Sequence, residues 1–497
     1  EFFAPRGTTL NAQAIKLTDL TSAADAYRYF SHDQLWQLFD GDRDALNIAH
    51  ECIDRHIDKG AAMTIVRDGA AHQSLTFIEL SEWSARFANW LEQQGIGPGD
   101  RVAVMLEPSL AFYTAIFGAM KAGAVAVPLF TLFGPDGLRA RVDDCEPKLL
   151  LANDETIEVA KQVAPSTTRL ADKALFDELE NFSAAYTPRT RAHDLALLQY
   201  TSGTTRERPA AIPHTHRAVV TVALAALYGL GIRPGDRYFC PSSPAWGHGM
   251  WHGTISPLAL GVPSGTYAGK FNIDTLLNAL SQLSVTNLAA ASTIYRMMRN
   301  ATKARQLPYA INKLSFTGEP MDSATAEFVA EFFGTPACSM YGTTETGVII
   351  VNFPGAADFT VRPGALGKPM PGVELEVHDN DGKPVSADTT GQIMLKRRGE
   401  WFATKDLGRM DTDGYFHHAG RADDVIISAG WTMSAAEIED VLLRHPQVVE
   451  CAVIGVPDEI RGHVVKAFII TNTGAGETAA GTPDADLAES LKAFTRE

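Results

Sequence analysis

The chain has 497 residues, of which 45% are hydrophobic and 21% are charged, and its formal net charge at pH 7 is −16. This length is enough for roughly three domain-sized units, each with a core of its own. The acidic balance argues against nucleic acid or an anionic membrane surface as the main partner, because both attract basic surfaces. The overall charge does not attract a phosphate-bearing ligand, so such a ligand must be bound by a local arrangement of hydrogen-bond donors.

The cysteines and the hydropathy indicate a cytoplasmic protein. Cys52, Cys145, Cys240, Cys338 and Cys451 are scattered without a CxxC spacing, so neither a zinc site nor a disulfide framework is indicated. No stretch approaches the roughly 20 apolar residues of a membrane span, and the first residues lack the basic and apolar regions of a signal peptide. We therefore expect no membrane span.

Helices and buried strands alternate along the first part of the chain. A helix is predicted over 47–56 and an amphipathic helix over 80–91. Buried strands at 101–106 and 125–129 enclose a helix over 111–123, and this spacing indicates a parallel sheet. The alternation continues with strands at 147–152, 195–199, 237–240 and 287–291 and helices at 157–163, 215–230 and 276–283.

The pattern changes near residue 355. Glycine and proline are dense over 355–372, and short alternating strands follow at 373–377 and 392–395. These features predict a small, β-rich and β-barrel-like subdomain over about 355–420.

A compact α+β unit is predicted beyond residue 421. The predicted fold class is therefore α/β, with doubly wound αβ subdomains in a large N-terminal domain at 1–421 and a small α+β C-terminal domain at 422–497. The elements predicted for the C-terminal domain are strands at 425–427, 448–454 and 464–470 and a helix at 435–444.

A loop with phosphate-binding chemistry follows the strand at 195–199. Hydroxyl side chains, a glycine and consecutive backbone N–H groups fall together directly after this apolar strand, which is typical of a turn that cradles an anion. The residues of the loop are Thr201, Ser202, Gly203, Thr204 and Thr205.

This loop resembles the signature loop of the adenylate-forming (ANL) superfamily, which comprises acyl-CoA synthetases, luciferases and peptide-synthetase adenylation domains. The resemblance extends over nearly the whole chain. It implies an N-terminal domain that binds an adenylate, a hinge, and a mobile C-terminal domain. It also implies an acid–thiol ligase that forms an acyl-CoA thioester through a bound acyl-adenylate.

Further segments resemble the AMP site of that superfamily. The resemblance assigns the two ribose hydroxyls to Asp406, and one carboxylate is able to accept both hydrogen bonds. It implies that a turn at 318–320 and a segment at 341–344 hold the adenine and the α-phosphate. Taken alone, both segments are equally typical of surface turns. The predicted AMP-binding residues are Gly318, Glu319, Pro320, Tyr341, Gly342, Thr343, Thr344, Asp406, His418 and Arg421.

The resemblance also implies a metal ligand, a hinge and an acyl pocket. It assigns Mg²⁺ to Glu345, which suits the preference of this cation for hard oxygen ligands. It places the hinge at Asp423, where a few residues absorb a large change in φ and ψ. The residues predicted for the acyl pocket and the thiol tunnel are Trp246, Gly247, Met250, Gly430 and Trp431.

Two departures from the superfamily pattern concern ATP. The superfamily loop continues with a glycine and a lysine that hold the β- and γ-phosphates, whereas this chain has Arg206 and, with Pro209 aligned to the family proline, Ala210. Removing one preorganised donor to a reacting group costs on the order of 10²–10³ in rate. The lysine segment that superfamily members carry near the C-terminus does not occur up to Glu497, through truncation or by nature.

These departures favour an enzyme that retains only half of the reaction. We expect it to convert acyl-AMP and CoA to acyl-CoA and AMP, while ATP-dependent adenylation is weak or lost. The expected ligands are AMP or an acyl-adenylate, a carboxylic acid and CoA, with ATP and Mg²⁺ only if adenylation is retained. A partner adenylating enzyme would then supply the acyl-adenylate.

Two alternatives stay open at this point. A complete ATP-dependent carboxylic acid–CoA ligase would use Arg206 or Arg208 in place of the lysine. An inactive protein would bind AMP or acyl-adenylate without turnover. A carrier-protein thiol could replace CoA, although the segment 49–56 favours CoA. The side chains of Trp246, Met250 and Ile349 would suit an apolar or bulky acyl group.

Overall fold

The structure is a computed structural model, and it describes residues 16–200, 211–301, 305–343, 346–421, 426–428, 431–433, 435–458, 462–471 and 485–495. The chain divides into two compact units, Glu1–Phe316 with Phe353–Thr360 and Thr317–Asn352 with Val361–Glu497. The predicted domain boundary at 421/422 adjoins residues 422–425, which lie outside the described residues, and this boundary stays a prediction.

The helices of the first unit begin at local capping signals. A capping box between Thr76 and Glu79 starts α4, which is why this helix begins before the predicted residue 80. The described helices of this unit are α1 (Ala23–Tyr29), α2 (His32–Trp36), α3 (Ile48–Cys52), α4 (Phe77–Gln93), α5 (Leu110–Lys121), α6 (Pro135–Cys145), α7 (Ile157–Val163), α8 (Lys173–Leu179), α9 (Ala218–Tyr228), α10 (Ser256–Ala259), α11 (Ile273–Gln282) and α12 (Ser292–Asn300), with 3₁₀ turns at Leu17–Asp19 and Asp54–His56 and a π-helix at His248–Ile255.

Two largely parallel sheets form the centre of the first unit. One runs in the order β6-β5-β3-β4-β7-β8, and the other contains β12-β11-β9-β10-β1-β2 in that order. The strands are β1 (Ala61–Arg67), β2 (Gln73–Thr76), β3 (Arg101–Met105), β4 (Val125–Pro128), β5 (Leu149–Ala152), β6 (Thr168–Leu170), β7 (Leu195–Tyr200), β8 (Ala211–Thr215), β9 (Tyr238–Phe239), β10 (Ser264–Ala268), β11 (Asn287–Ala290) and β12 (Lys313–Phe316).

The parallel pairing of the central strands is consistent with their complete burial. Every residue of β4 and β5 is buried, as expected for strands covered by helices on both faces. The predicted doubly wound α/β architecture is confirmed. Only the edge strands β2 and β8 pair antiparallel to their neighbours in these two sheets, as far as they are described. The strand β8 was not predicted from the sequence, and its Pro213 is tolerated because the strand lies at an edge.

The segment 353–360 returns to the first unit through polar and aromatic contacts. The Asp358 carboxylate accepts hydrogen bonds from the backbone N–H groups of Ala23 and Ala24 at 2.8 and 2.9 Å, at the start of α1. The Phe353 ring lies 5.3 Å from that of Tyr27. A carboxylate at a helix N-terminus is favourable. Asp358 therefore fixes the segment 353–360 at the start of α1.

The second unit consists of short antiparallel sheets and three described helices. Its helices are α13 (Ser323–Phe333), α14 (Ala435–Leu443) and α15 (Ala485–Phe494). Its strands are β13 (Ala337–Ser339), β14 (Tyr341–Thr343), β15 (Gly347–Val351), β16 (Lys368–Pro369), β17 (Leu375–His378), β18 (Gly391–Arg397), β19 (Glu400–Met410), β20 (Phe416–Arg421), β21 (Ile426–Ser428), β22 (Trp431–Met433), β23 (Val448–Asp458) and β24 (Gly462–Thr471).

The prediction of a barrel-like subdomain is wrong. The strands β17-β18-β19-β20 form an open four-stranded sheet, and β14-β15-β16 form a separate three-stranded sheet. Ile349 and Ile350 of β15 pack against Ile393 and Phe416 of the larger sheet. Because one sheet covers the apolar face of the other, that face is buried without closure into a barrel.

The last four described strands form the predicted α+β arrangement. They pair in the order β22-β21-β24-β23. Leu442 of α14 and Leu491 of α15 share a core with Ile426, Val448 and Val453 of the sheet.

None of the helices in the described ranges combines the length and the hydropathy that a membrane crossing requires.

Alanine at Gly231 is expected to destabilise the first unit more than alanine at Gly235. Both glycines have positive φ values, 62° and 93°. A Cβ at Gly231 would lie 2.3 Å from the Pro354 carbonyl oxygen, whereas a Cβ at Gly235 would meet no heavy atom within 4 Å. Urea unfolding should show a loss of about 1–2 kcal/mol for Gly235→Ala from backbone strain alone, and a larger loss for Gly231→Ala. Equal losses would mean that Pro354 does not constrain this turn.

Candidate active site

Three predicted side chains of the second unit converge on a fourth, the buried carboxylate of Asp406. Asp406 lies on β19 and is 6% exposed. The Tyr341 hydroxyl donates a hydrogen bond to Asp406 Oδ2 at 2.5 Å. His418 Nε2 and Arg421 Nε lie 3.7 and 4.0 Å from Asp406 Oδ1. The structure therefore brings Tyr341, which lies 65 residues before Asp406, together with Asp406, His418 and Arg421.

A β-bulge aims His418 and Arg421 at the same carboxylate. Side chains three residues apart on a regular strand point to opposite faces. Here Asp406 pairs with Arg421 and Leu407 with Gly420, but Gly408 pairs with His418, so β20 carries one extra residue. The bulge places both side chains on the Asp406 face, and no feature of the sequence signalled it.

The surroundings keep Asp406 anionic and Tyr341 neutral at pH 7. Burial raises the pKa of Asp406, but the hydrogen bond from Tyr341 and the neighbouring His418 and Arg421 side chains outweigh burial, so the pKa lies below 3.8. Burial, and then the hydrogen bond to Asp406, raises the pKa of Tyr341 well above 10. Such a carboxylate is suited to accept hydrogen bonds from hydroxyl groups.

The residue before Asp406 has a backbone conformation that favours glycine. Lys405 has a φ of 69°, and it stands where the superfamily pattern has glycine. The Thr404 hydroxyl accepts a hydrogen bond from the Asp406 N–H at 3.2 Å and donates to the Ile393 carbonyl at 2.8 Å. Thr404 thus orients Asp406, a role that the sequence analysis did not assign.

The predicted adenine turn is attached to β14. The Thr317 hydroxyl donates to the Met340 carbonyl at 2.8 Å, directly before Tyr341. In the turn, Gly318 has a φ of 91°. Gly318 and Pro320 are exposed and Glu319 is half-buried, so the edge of the turn is accessible.

The hairpin after Tyr341 is held by close contacts. A Cβ at Gly342 would lie 1.9 Å from the Gly347 carbonyl oxygen, so only glycine fits there. The Thr346 hydroxyl accepts a hydrogen bond from the Thr343 N–H at 2.8 Å, and the Thr343 hydroxyl accepts one from the Thr346 N–H at 3.2 Å. This reciprocal pair closes the turn next to Tyr341.

Several predicted site residues lie outside the described residues. Trp431 is described only as the first residue of β22. Among the described residues, no group of three or more His, Cys, Asp and Glu side chains is arranged to hold a metal ion. The predicted residues outside the described ranges are Thr201, Ser202, Gly203, Thr204, Thr205, Arg206, Ala210, Thr344, Glu345, Asp423 and Gly430.

The residues predicted for the acyl pocket lie in the first unit, at the start of the π-helix His248–Ile255. Trp246 is 37% exposed and Met250 is fully buried. Gly247 directly precedes the helix. A π-helix is rare and often occurs at functional sites, and the sequence analysis did not predict this one.

Replacing Tyr341 by phenylalanine is expected to destabilise the second unit in a pH-dependent manner. A hydrogen bond to a charged group contributes about 1.5–3 kcal/mol, so the loss should be of this size at pH 7. The depressed pKa of Asp406 contributes stability above its usual value of 3.8, and this contribution is lost as pH falls through the folded-state pKa. The difference between the two proteins should therefore shrink below about pH 4 in urea unfolding.

Tyr186→Phe provides the matched control, because the Tyr186 hydroxyl donates to the exposed Glu92 carboxylate, also at 2.5 Å. A smaller loss is expected there, since solvent replaces the partner. Equal losses would contradict the importance of the buried position of Asp406.

The chain matches known proteins over most of its length. Residues 51–401 match the family described as AMP-binding enzyme, and residues 437–497 match the AMP-binding enzyme C-terminal domain. It is 29% identical to an acetyl-coenzyme A synthetase of Bacillus subtilis (strain 168), over 91% of this chain and 85% of that protein.

Solved structures with similar folds include two related enzymes. The acyl-CoA synthetase of Brucella canis matches with a TM-score of 0.78 and 29% identity, over 96% of this chain and 93% of that one. The anthranilate CoA ligase AuaEII, solved in complex with anthranoyl-AMP, matches with a TM-score of 0.81 and 25% identity, over 94% and 92%. The structural and the sequence comparisons therefore identify the same group of enzymes.

Proposed function

Because this chain belongs to the AMP-binding enzyme family, which residues 51–401 match, we propose that it completes acyl-CoA synthesis from a bound acyl-adenylate and makes that adenylate from ATP only slowly. It is an enzyme of the acid–thiol ligase type, as its relatives and structural neighbours are acyl-CoA synthetases and ligases. The two halves of the reaction make different demands on the protein.

The cluster around Asp406 is the observation that supports the thioester-forming half. In this half the CoA sulfur attacks the acyl carbon, the bond from that carbon to the AMP oxygen breaks, and the thiol proton passes to solvent. AMP is the leaving group, so a site for AMP is the main requirement. The anionic Asp406, 2.5 Å from the Tyr341 hydroxyl, would accept the ribose hydroxyls, and the turn at 318–320 would hold the adenine.

The loop sequence supports a slow adenylation half. Tyr200 of β7 pairs with Ala211 of β8, so the segment 201–210 connects two paired strand ends. No lysine occurs between them, and Arg206 and Ala210 occupy the positions of the family glycine and lysine. Pyrophosphate is bound only during adenylation. The altered part of this loop is therefore needed only for the reaction with ATP.

The proposal implies particular ligands and a particular setting. The ligands are AMP or an acyl-adenylate, a carboxylic acid and CoA, while ATP with Mg²⁺ at Glu345 belongs to the slow half. A separate adenylating enzyme would supply the acyl-adenylate, and Asp423 would be the hinge between the two domains predicted at 1–421 and 422–497. The buried cysteines Cys52, Cys145, Cys240 and Cys338 form no disulfide, which supports a reducing, cytoplasmic setting.

The half reactions can be compared directly. Acyl-AMP with CoA is expected to give acyl-CoA at least about 10²-fold faster than the matching acid with ATP, Mg²⁺ and CoA. A panel of acids and their synthetic adenylates should be followed by chromatography of the thioesters. Rapid pyrophosphate release from acid and ATP would contradict the proposal and favour a complete ligase. AMP binding by calorimetry without turnover from either mixture would indicate an inactive binding protein.

Restoring the loop should restore adenylation. The double variant Arg206→Gly with Ala210→Lys is expected to raise ATP-dependent acyl-CoA formation on the order of 10²-fold, because it returns a phosphate donor and a flexible backbone. Its rate with acyl-AMP should not change. Ala185→Lys, at an exposed position, is the control for added charge. An unchanged ATP-dependent rate in the double variant would show that the loop does not limit adenylation.

A further inference from the structure

Several buried polar side chains of the first unit lack hydrogen-bond partners among the described residues. The atoms concerned include Gln199 Oε1, His248 Nε2 and Trp251 Nε1, and these residues are only 2%, 3% and 9% exposed. His214 Nε2 and His252 Nδ1 share this property. A buried polar group without a partner costs about 1–3 kcal/mol and is rare in native proteins. Five such groups in one region make that region a candidate ligand site.

Contacts between the rings place the histidines and tryptophans together. The His214 ring lies 4.7 Å from the Trp251 ring. The His248 ring lies 5.9 Å from the His252 ring and 5.3 Å from the Trp246 ring. These contacts form two groups along the π-helix, and they approach each other at Gly247, where an added Cβ would lie 3.9 Å from Trp251 Cδ1.

Gln199 joins the group that contains Trp246 through the backbone before that residue. Its Nε2 donates to the Ala245 carbonyl at 2.6 Å, which leaves Oε1 as the unpaired atom. Gln199 is two residues before Thr201, and His214 on β8 follows the same loop. The two groups therefore adjoin both ends of the phosphate loop and include Trp246. This is the region that the sequence resemblance assigns to the acyl pocket.

The chemistry of the unpaired atoms favours a neutral group that both donates and accepts. Trp251 Nε1 only donates and Gln199 Oε1 only accepts. Burial and, to a lesser extent, the neighbouring His252 lower the pKa of His248 to about 3, while Ser242 Oγ bonds to Nδ1 at 2.9 Å. His248 is therefore uncharged at pH 7 and offers no cation for a second carboxylate. A hydroxyl is the simplest substituent that pairs with both kinds of atom.

We propose that Gln199, His248 and Trp251 select an acyl group that carries a hydroxyl substituent. This inference rests on the proposed function and names its class of substrate. The sequence alone predicts an apolar or bulky acyl group. The polar atoms that favour a hydroxyl belong to strand β7 and to the π-helix, and only the folded chain brings these two elements together. An acid without the hydroxyl would leave these buried atoms unpaired.

Binding of unreactive adenylate analogues tests the proposal without turnover. Acyl-sulfamoyl adenosines would be compared by calorimetry in pairs that differ by one hydroxyl, with butanoyl against its 2-, 3- and 4-hydroxy forms. At least one hydroxylated analogue is expected to bind about tenfold or more tightly than its parent, since a site built to pair a hydroxyl rejects the analogue that lacks it. Equal or weaker binding of all three would overturn the proposal while leaving the proposed function intact. Failure of every analogue, and of AMP, to bind would contradict both.

Two variants show which side chains make the selection. Trp251→Phe removes the indole N–H and keeps an aromatic ring, and His248→Phe removes the imidazole nitrogens. Each is expected to reduce the preference for the hydroxylated analogue to less than about threefold. Trp36→Phe on α2 is the matched control and should keep the full preference. A preference that survives in both pocket variants would refute the assignment, and retained binding of AMP, which lacks the acyl group, excludes misfolding as the cause of a loss.

Discussion

The buried carboxylate of Asp406 is the constraint on which the second unit depends. An ionised carboxylate away from water is costly unless hydrogen bonds and opposite charges compensate. Tyr341 from β14 and His418 and Arg421 from β20 supply that compensation. Three strands of two different sheets must therefore keep their register. The need to compensate the Asp406 carboxylate therefore fixes how the strands of the two open sheets are aligned, although the sheets do not close into a barrel.

The two units treat their polar groups differently. In the second unit, Thr404, Tyr341 and the reciprocal bonds of Thr343 and Thr346 satisfy the groups around the site. In the first unit, Gln199, His248 and Trp251 keep unpaired atoms in a buried position. A satisfied network is ready to bind a constant part of a ligand such as a nucleotide. A network with unpaired buried atoms is stabilised when a variable part of the ligand, such as an acyl group, forms hydrogen bonds with those atoms.

This division corresponds to the chemistry of the proposed half reaction. The AMP moiety is the leaving group, so its site must persist for the thioester to form. The pyrophosphate end of ATP is needed only earlier, and the altered residues Arg206 and Ala210 lie in the loop that would hold it. Loss of one end of a nucleotide site with retention of the other is physically consistent, because the two ends are held by separate elements. Lys405, strained at a glycine position next to Asp406, shows that this chain also tolerates a departure within the retained part.

The hydrophobic pattern of neighbouring residues determined the alternation of helices and parallel strands. The arrangement of side chains at the site depended on tertiary structure. The buried run of β5 and the amphipathic α7 were predictable, and α7 matches its predicted bounds of 157–163, because burial and periodicity are properties of neighbouring residues. The strand β8 escaped prediction since its Pro213 is acceptable only at an edge, which depends on distant pairing. The resemblance assigned Tyr341, Asp406, His418 and Arg421 to the AMP site, and the structure brings these side chains together, while their role in binding AMP stays a prediction. Only the register of β19 and β20, with one extra residue, decided that His418 and Arg421 both face the carboxylate, since a bulge is specified by pairing between strands and not by either strand alone.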